Sequence, residues 1–140
     1  PMEQMAASLA MSSGGVFDRF PKLTVSFLES GAGWLPHWLE RLDAQVDNPM
    51  LNEGYGGKEK PSEYFRRGQG FVSCEAGEEA LPAIQRSLGD SVTMWASDYP
   101  HPDSTWPNSA AAIEHSLGTL GEKAVRKVTS ETCRRLYGLP

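Results

Sequence analysis

Apolar positions along this chain switch between the spacing of a helix face and the dense runs of a buried strand. Met2, Met5, Ala6 and Leu9 fall at helical intervals until Ser12-Ser13-Gly14-Gly15 interrupts them, which predicts one short helix. Beyond Phe20-Pro21, the run Leu23 to Leu28 is β-branched and aromatic, and it ends in Glu29-Ser30-Gly31-Ala32-Gly33. That is the pattern of a buried strand meeting a Gly-rich turn. Trp34, Leu35, Trp38, Leu39, Leu42 and Val46 then recur at i, i+3 and i+4, so a second helix follows at once.

Residues 47–63 contain Gly and Pro without periodicity and read as a long loop. Phe71 to Cys74 forms a second strand ending at Glu75, and Glu79 to Leu88 a helix closed by Gly89, with Pro82 acceptable in its first turn. A third strand, Ser91 to Ala96, is stopped by Pro100 and Pro102 in the segment Ser97-Asp98-Tyr99-Pro100-His101-Pro102-Asp103. Asn108 or Ser109 can cap a helix through Leu117, and two further helical pieces, Glu122 to Val128 and Ser130 to Tyr137, precede Gly138. Strands alternating with helices predict an α/β fold with a parallel sheet. Three strands leave both sheet edges open, so a partner chain or further sequence is expected to pair with them.

The 140 residues amount to a single unit. Thirteen basic against eighteen acidic residues, a formal charge of −5, argue against a nucleic-acid footprint or a polybasic membrane patch. No apolar run is long enough to span a membrane. No positive residue precedes Arg19, so no signal peptide is predicted and the expected compartment is the cytoplasm. Cys74 and Cys133 lack metal-ligand spacing and are expected to be reduced and structural.

In parallel α/β folds the reactive groups gather at the C-terminal ends of strands, here marked by Glu29, Glu75 and Asp98. Glu29 and Glu75 also read as caps of the helices that follow. Asp98 is different, because it precedes the rigid Tyr99-Pro100-His101-Pro102 segment, where a carboxylate can ligate a metal or act as a base. His101 either shapes that loop or lines the site. His37 reads as structural and His115 as solvated or helix-packing. Gly31-Ala32-Gly33 can present backbone amides to an anion, which keeps open a small-ligand binding role. No HxH, HExxH, GxSxG or Walker A motif occurs.

Gly15-Val16-Phe17-Asp18-Arg19-Phe20-Pro21-Lys22-Leu23 and Phe27-Leu28-Glu29-Ser30-Gly31-Ala32-Gly33-Trp34-Leu35-Pro36, running into Leu39-Glu40-Arg41-Leu42-Asp43, resemble the amidohydrolase-related (amidohydrolase 2) family. So do Trp95-Ala96-Ser97-Asp98-Tyr99-Pro100-His101 and the ending Arg135-Leu136-Tyr137-Gly138. The family includes metal-dependent hydrolases and nonoxidative decarboxylases similar to aminocarboxymuconate-semialdehyde decarboxylase, built on a (β/α)8 barrel. The resemblance implies a partial TIM barrel, its last three parallel strands with their helices, acting on a small-molecule substrate. The N-terminal half of the barrel would come from elsewhere, or the chain would be a homo-oligomer or a non-catalytic half-barrel.

The family holds a divalent metal ion, zinc by expectation, with an N-terminal His-x-His or Glu-x-His pair, a mid-chain histidine and an aspartate at the last strand's end. Asp98 alone matches that set, as metal ligand and general base, with His101 and Glu29 beside the substrate. Decarboxylase members carry a histidine where Glu29 stands, so the resemblance favours hydrolysis, with decarboxylation as the alternative. Thr132-Cys133 replaces the family's Asn-Ala, Thr132 serving in this reading as a helix N-cap.

Overall fold

The computed structural model describes residues 1–140. Helix α1 (Met2–Ser12) and a single turn α2 (Val16–Arg19) lead into strand β1 (Val25–Phe27) and helix α3 (Leu35–Val46). Helix α4 (Pro61–Arg66), strand β2 (Gly70–Cys74) and helix α5 (Leu81–Leu88) follow, then strand β3 (Thr93–Trp95) and helix α6 (Ser109–Leu117). Helices α7 (Glu122–Arg126) and α8 (Thr132–Tyr137) are joined through a π turn at Lys127–Glu131.

The strands lie in the order β1-β2-β3, all parallel, with Val25 opposite Gly70, Phe27 opposite Val72, Val72 opposite Thr93 and Cys74 opposite Trp95. β1 and β3 each leave one edge unpaired, as the strand count predicts. Strand alternation places Phe27, Val72 and Cys74 on one face, where they join Leu35, Leu39 and Leu42 of α3, Leu81, Ile84 and Leu88 of α5, and Leu117 and Val128 in one hydrophobic core. The rows at i, i+4, i+7 on α3 and i, i+3, i+7 on α5 are the apolar stripes legible in the sequence. Phe27 anchors the centre, stacked on Phe65 at 6.0 Å and edge-on to Trp34 at 6.1 Å.

Four expectations need correction. Residues 47–63 are not loop throughout, because α4 begins at Pro61. Its first turn is held by Asp43 of α3, whose carboxylate accepts the Ser62 N–H at 3.0 Å, so the capping group lies 19 residues away and leaves no local signal. The two C-terminal helical pieces are continuous through the π turn, and Thr132 sits inside the helix instead of capping it. Its hydroxyl is buried without a partner. The π turn takes more residues per turn than an α turn, which keeps Ala124, Val128 and Thr132, each four apart and all buried, on one side. His37 is exposed on α3 and not packed, and His115 is exposed as expected.

At the N-terminal end of the sheet, Tyr64 is fully buried. Its hydroxyl donates to Asp18 and accepts N–H bonds from Lys58 (3.0 Å) and Glu59 (3.1 Å), while Arg67 lies 4.4 Å over its ring. Asp18 also accepts the Lys58 N–H at 2.7 Å. Burial raises the Asp18 pKa, but the Tyr64 hydroxyl, the Lys58 amide and the Arg67 charge outweigh it and hold the carboxyl below its usual range. This latch fixes the long loop against α2 and α4. Burial, reinforced by the neighbouring Tyr64, raises the Tyr55 phenol.

Candidate functional site

All three strand ends point the same way, so Glu29, Glu75 and Asp98 share one rim of the sheet. Glu29 (φ 60°) and Asp98 (φ 61°) are the two non-glycine residues of the chain with positive φ. Such a conformation persists only where the surroundings enforce it, and it concentrates at functional positions. At Glu29 the enforcing contact is its N–H to the Ser73 hydroxyl on β2, 3.1 Å. At Asp98 it is the turn that follows, where His101 N–H bonds the Asp98 carbonyl at 2.9 Å.

That turn brings His101 Nδ1 to 3.1 Å from Asp98 Oδ2, the contact the sequence leaves open between loop-shaping and site-lining. Asp103 joins them. One donor atom from each of Asp98, His101 and Asp103 lies within 4.8 Å of the others. Ligands of one tetrahedral divalent ion, each about 2.0–2.2 Å from it, sit about 3.3–3.6 Å apart, so the Asp98–His101 pair is already that close and the group as a whole has to close by up to about 1.5 Å to ligate together. Two carboxylates and an imidazole suit zinc or manganese. The donor chemistry therefore fits the metal that the resemblance implies. Asp103 is missed by sequence reasoning, although the spacing Asp98-x-x-His101-x-Asp103 between prolines carries the signal.

Glu29 is not brought to this group. It is exposed at the end of β1, two strands from Asp98, about 10 Å by strand spacing. Nor do Glu29 and Glu75 cap helices: no side-chain cap bond is formed at α3 or α5. The acid that engages the Gly-rich turn is Glu78. Its carboxylate accepts N–H bonds from Ala32 (2.8 Å), Gly33 (3.1 Å) and Glu75 (2.8 Å), clipping the β1–α3 loop to the β2–α5 loop. The anion foreseen for Gly31-Ala32-Gly33 is thus an internal carboxylate, which takes the amides that a small ligand would need. Cys74 and Cys133 are both free, and burial, with Glu78 nearby, pushes the Cys74 thiol up to about 12. No helix is long and apolar enough to cross a membrane.

No curated protein matches the chain in sequence. Among solved structures it is similar to 5-carboxyvanillate decarboxylase LigW from Sphingomonas paucimobilis, with 31% identity, a TM-score of 0.74, and coverage of 96% of this chain and 39% of that one. It also superposes on an amidohydrolase from Mycobacterium avium subsp. paratuberculosis (23% identity, TM-score 0.78, 94% of this chain and 32% of that one). A dihydroxybenzoic acid decarboxylase from Polaromonas, solved with bound manganese and the inhibitor 2-nitroresorcinol, matches at 20% identity and TM-score 0.76, over 99% of this chain and 40% of that one. The chain thus spans about a third to two fifths of these relatives, as a partial TIM barrel does. The amidohydrolase family profile matches residues 1–139, and with the parallel α/β architecture and the Asp98 rim in place, the chain belongs to the amidohydrolase family.

Proposed function

We propose that this chain is the C-terminal part of a metal-dependent enzyme that removes a carboxyl group, without oxidation, from a small aromatic acid. The observation that carries the reading is the Asp98, His101 and Asp103 donor group at the end of β3, in a chain 31% identical over 96% of its length to a 5-carboxyvanillate decarboxylase. This reverses the order of the two activities expected from Glu29. The relatives of this fold that are decarboxylases outweigh the loss of one imidazole, which a group from another loop can replace.

Asp98 would hold the ion, manganese or zinc, through one oxygen, with Asp103 and His101 as further donors on the same loop. The ion, when bound, supplies positive charge that fixes the substrate's oxygens and stabilises developing negative charge. In the reaction the bond between ring carbon and carboxyl carbon breaks, CO2 leaves, and a proton is delivered to the ring carbon. His101, hydrogen-bonded to Asp98 through Nδ1, would orient that carboxylate, and the proton would come from solvent at the open rim. Glu29, held at positive φ, would face the substrate from the opposite side of the rim.

Two copies of this chain would bring six parallel strands, fewer than the eight of a closed barrel. A separate N-terminal half is therefore the better source of the missing strands and of the remaining metal ligands. Hydrolysis is the second reading, favoured by a carboxylate at position 29. The test is manganese content and CO2 release from an aromatic acid by the intact protein, compared with Asp98→Asn. Loss of both supports the reading, whereas unchanged metal and activity reject it. Product formation from an amide or ester without CO2 selects hydrolysis.

A further inference from the structure

Tyr99 and Trp106 are each 65% exposed, yet they are packed against each other, ring centroids 5.7 Å apart and planes at 68°. One exposed aromatic residue is ordinary; two held edge to face on the loop that carries the metal donors form a preorganised surface. The loop is pinned from within. Thr105 N–H bonds the Ser97 carbonyl at 3.0 Å, closing residues 97–105 into a ring and returning Trp106 to the start of the loop, beside Tyr99. Ser104 N–H to the His101 carbonyl (3.0 Å), Trp106 N–H to the Ser104 hydroxyl (3.1 Å) and the Thr105–Ser109 hydroxyl pair (2.8 Å) hold the intervening turns.

The loop's chemistry is divided. Asp98, His101 and Asp103 form its polar side, and no Lys or Arg occurs from Ser97 to Ser109, so the loop offers an acid no direct cationic partner. The aromatic pair offers exposed ring surface, which suits a planar ring. Tyr99 follows Asp98 directly in the chain and Trp106 lies three residues beyond Asp103, so the platform and the donor group are carried on one closed loop.

We infer that Tyr99 and Trp106 are specificity-determining residues that select a planar aromatic ring for a substrate whose acid group is held at the Asp98 donors. The placing of the acid group rests on the decarboxylase reading; the selection of the ring rests on the loop itself. The test is calorimetric titration of the full-length protein, with and without manganese, using 2,6-dihydroxybenzoate and the aliphatic diacid glutarate as probes. Trp106→Ala and Tyr99→Ala are expected to weaken the aromatic acid about tenfold and to leave glutarate within about twofold. Trp106→Phe should restore most of the loss, and manganese affinity should stay at its wild-type value.

Equal weakening of both probes overturns the inference, as do aromatic affinity unchanged in both alanine variants and no binding of the aromatic acid by the wild type. So does a Trp106→Ala protein with a lowered Tm and unaltered probe selectivity, because the pair is then only a packing surface. Failure of the wild type to bind manganese counts against the decarboxylase reading alone, since the uncharged ring resorcinol, titrated without metal, still reads the aromatic pair: weakening in both alanine variants supports the selection and no change overturns it.

Discussion

Replacing Tyr64 by Phe deletes one buried oxygen and almost nothing else. The ring stays fully buried against Phe17 at 5.5 Å and under Arg67, so packing and the cation–π contact survive. Three hydrogen bonds are lost: the donation to Asp18 and the N–H bonds from Lys58 and Glu59. The Lys58 N–H keeps Asp18 as its acceptor, whereas the Glu59 N–H has only this hydroxyl among its bonds. A charge-assisted bond of about 1.5–3 kcal/mol, plus about 0.5–1 kcal/mol for the Glu59 amide, which is partly open to water, gives a destabilisation of about 2–4 kcal/mol. For a chain of this size that is a fall in Tm of about 10 °C. The pH dependence follows from the lowered Asp18 pKa. A carboxyl depressed on folding contributes stability that is complete above its unfolded pKa of about 3.9 and is lost as pH falls through the folded value. The gap between wild type and Tyr64→Phe, measured by urea denaturation, is therefore full at pH 7 and narrows below pH about 4. A gap under about 0.5 kcal/mol at pH 7 would mean that the latch contributes nothing net, against the magnitudes used here. A gap that widens in acid would refute the assignment of Asp18 as the charged acceptor.

Gly70→Ala places a Cβ 2.5 Å from the Phe65 ring, which is locked between α4 and Phe27, so overpacking should cost about 1–3 kcal/mol in the same denaturation assay. Glu78→Ala frees three backbone amides and should accelerate hydrogen exchange at Ala32, Gly33 and Glu75 together; exchange that rises at one position only would show that Glu78 does not clip the two loops. Cys74, buried with its thiol pushed up to about 12, should resist alkylation at pH 8 in the native protein while half-exposed Cys133 reacts. Because the unfolded thiol ionises near pH 9.0 and the folded one does not, Cys74 should also lower stability as pH rises from 9 toward 12. Replacing Cys74 by Ala should flatten that alkaline slope.

Local patterning was enough for the strand-helix alternation, the apolar stripes of α3 and α5, the shortage of strands and the suspicion that falls on Asp98. Each of these depends on residues within one or two turns of one another, where side-chain direction follows from spacing alone. What the sequence left undetermined depends on partners far along the chain. The six residues of α4 lack periodicity and are helical because Asp43 caps them, Phe65 stacks on Phe27 and Tyr64 reaches Asp18. Glu78 meets the amides of Ala32 and Gly33 across 46 and 45 residues, taking the role that proximity had assigned to Glu29 and Glu75. Asp103 and the Tyr99–Trp106 pair lie within ten residues of Asp98, but only the closed turn of the loop brings them together. Hydrophobic rhythm is written residue by residue, whereas a buried polar group takes whichever partner the completed fold sets beside it. Tertiary structure therefore decided the polar contacts of this protein, and with them the make-up of its candidate site.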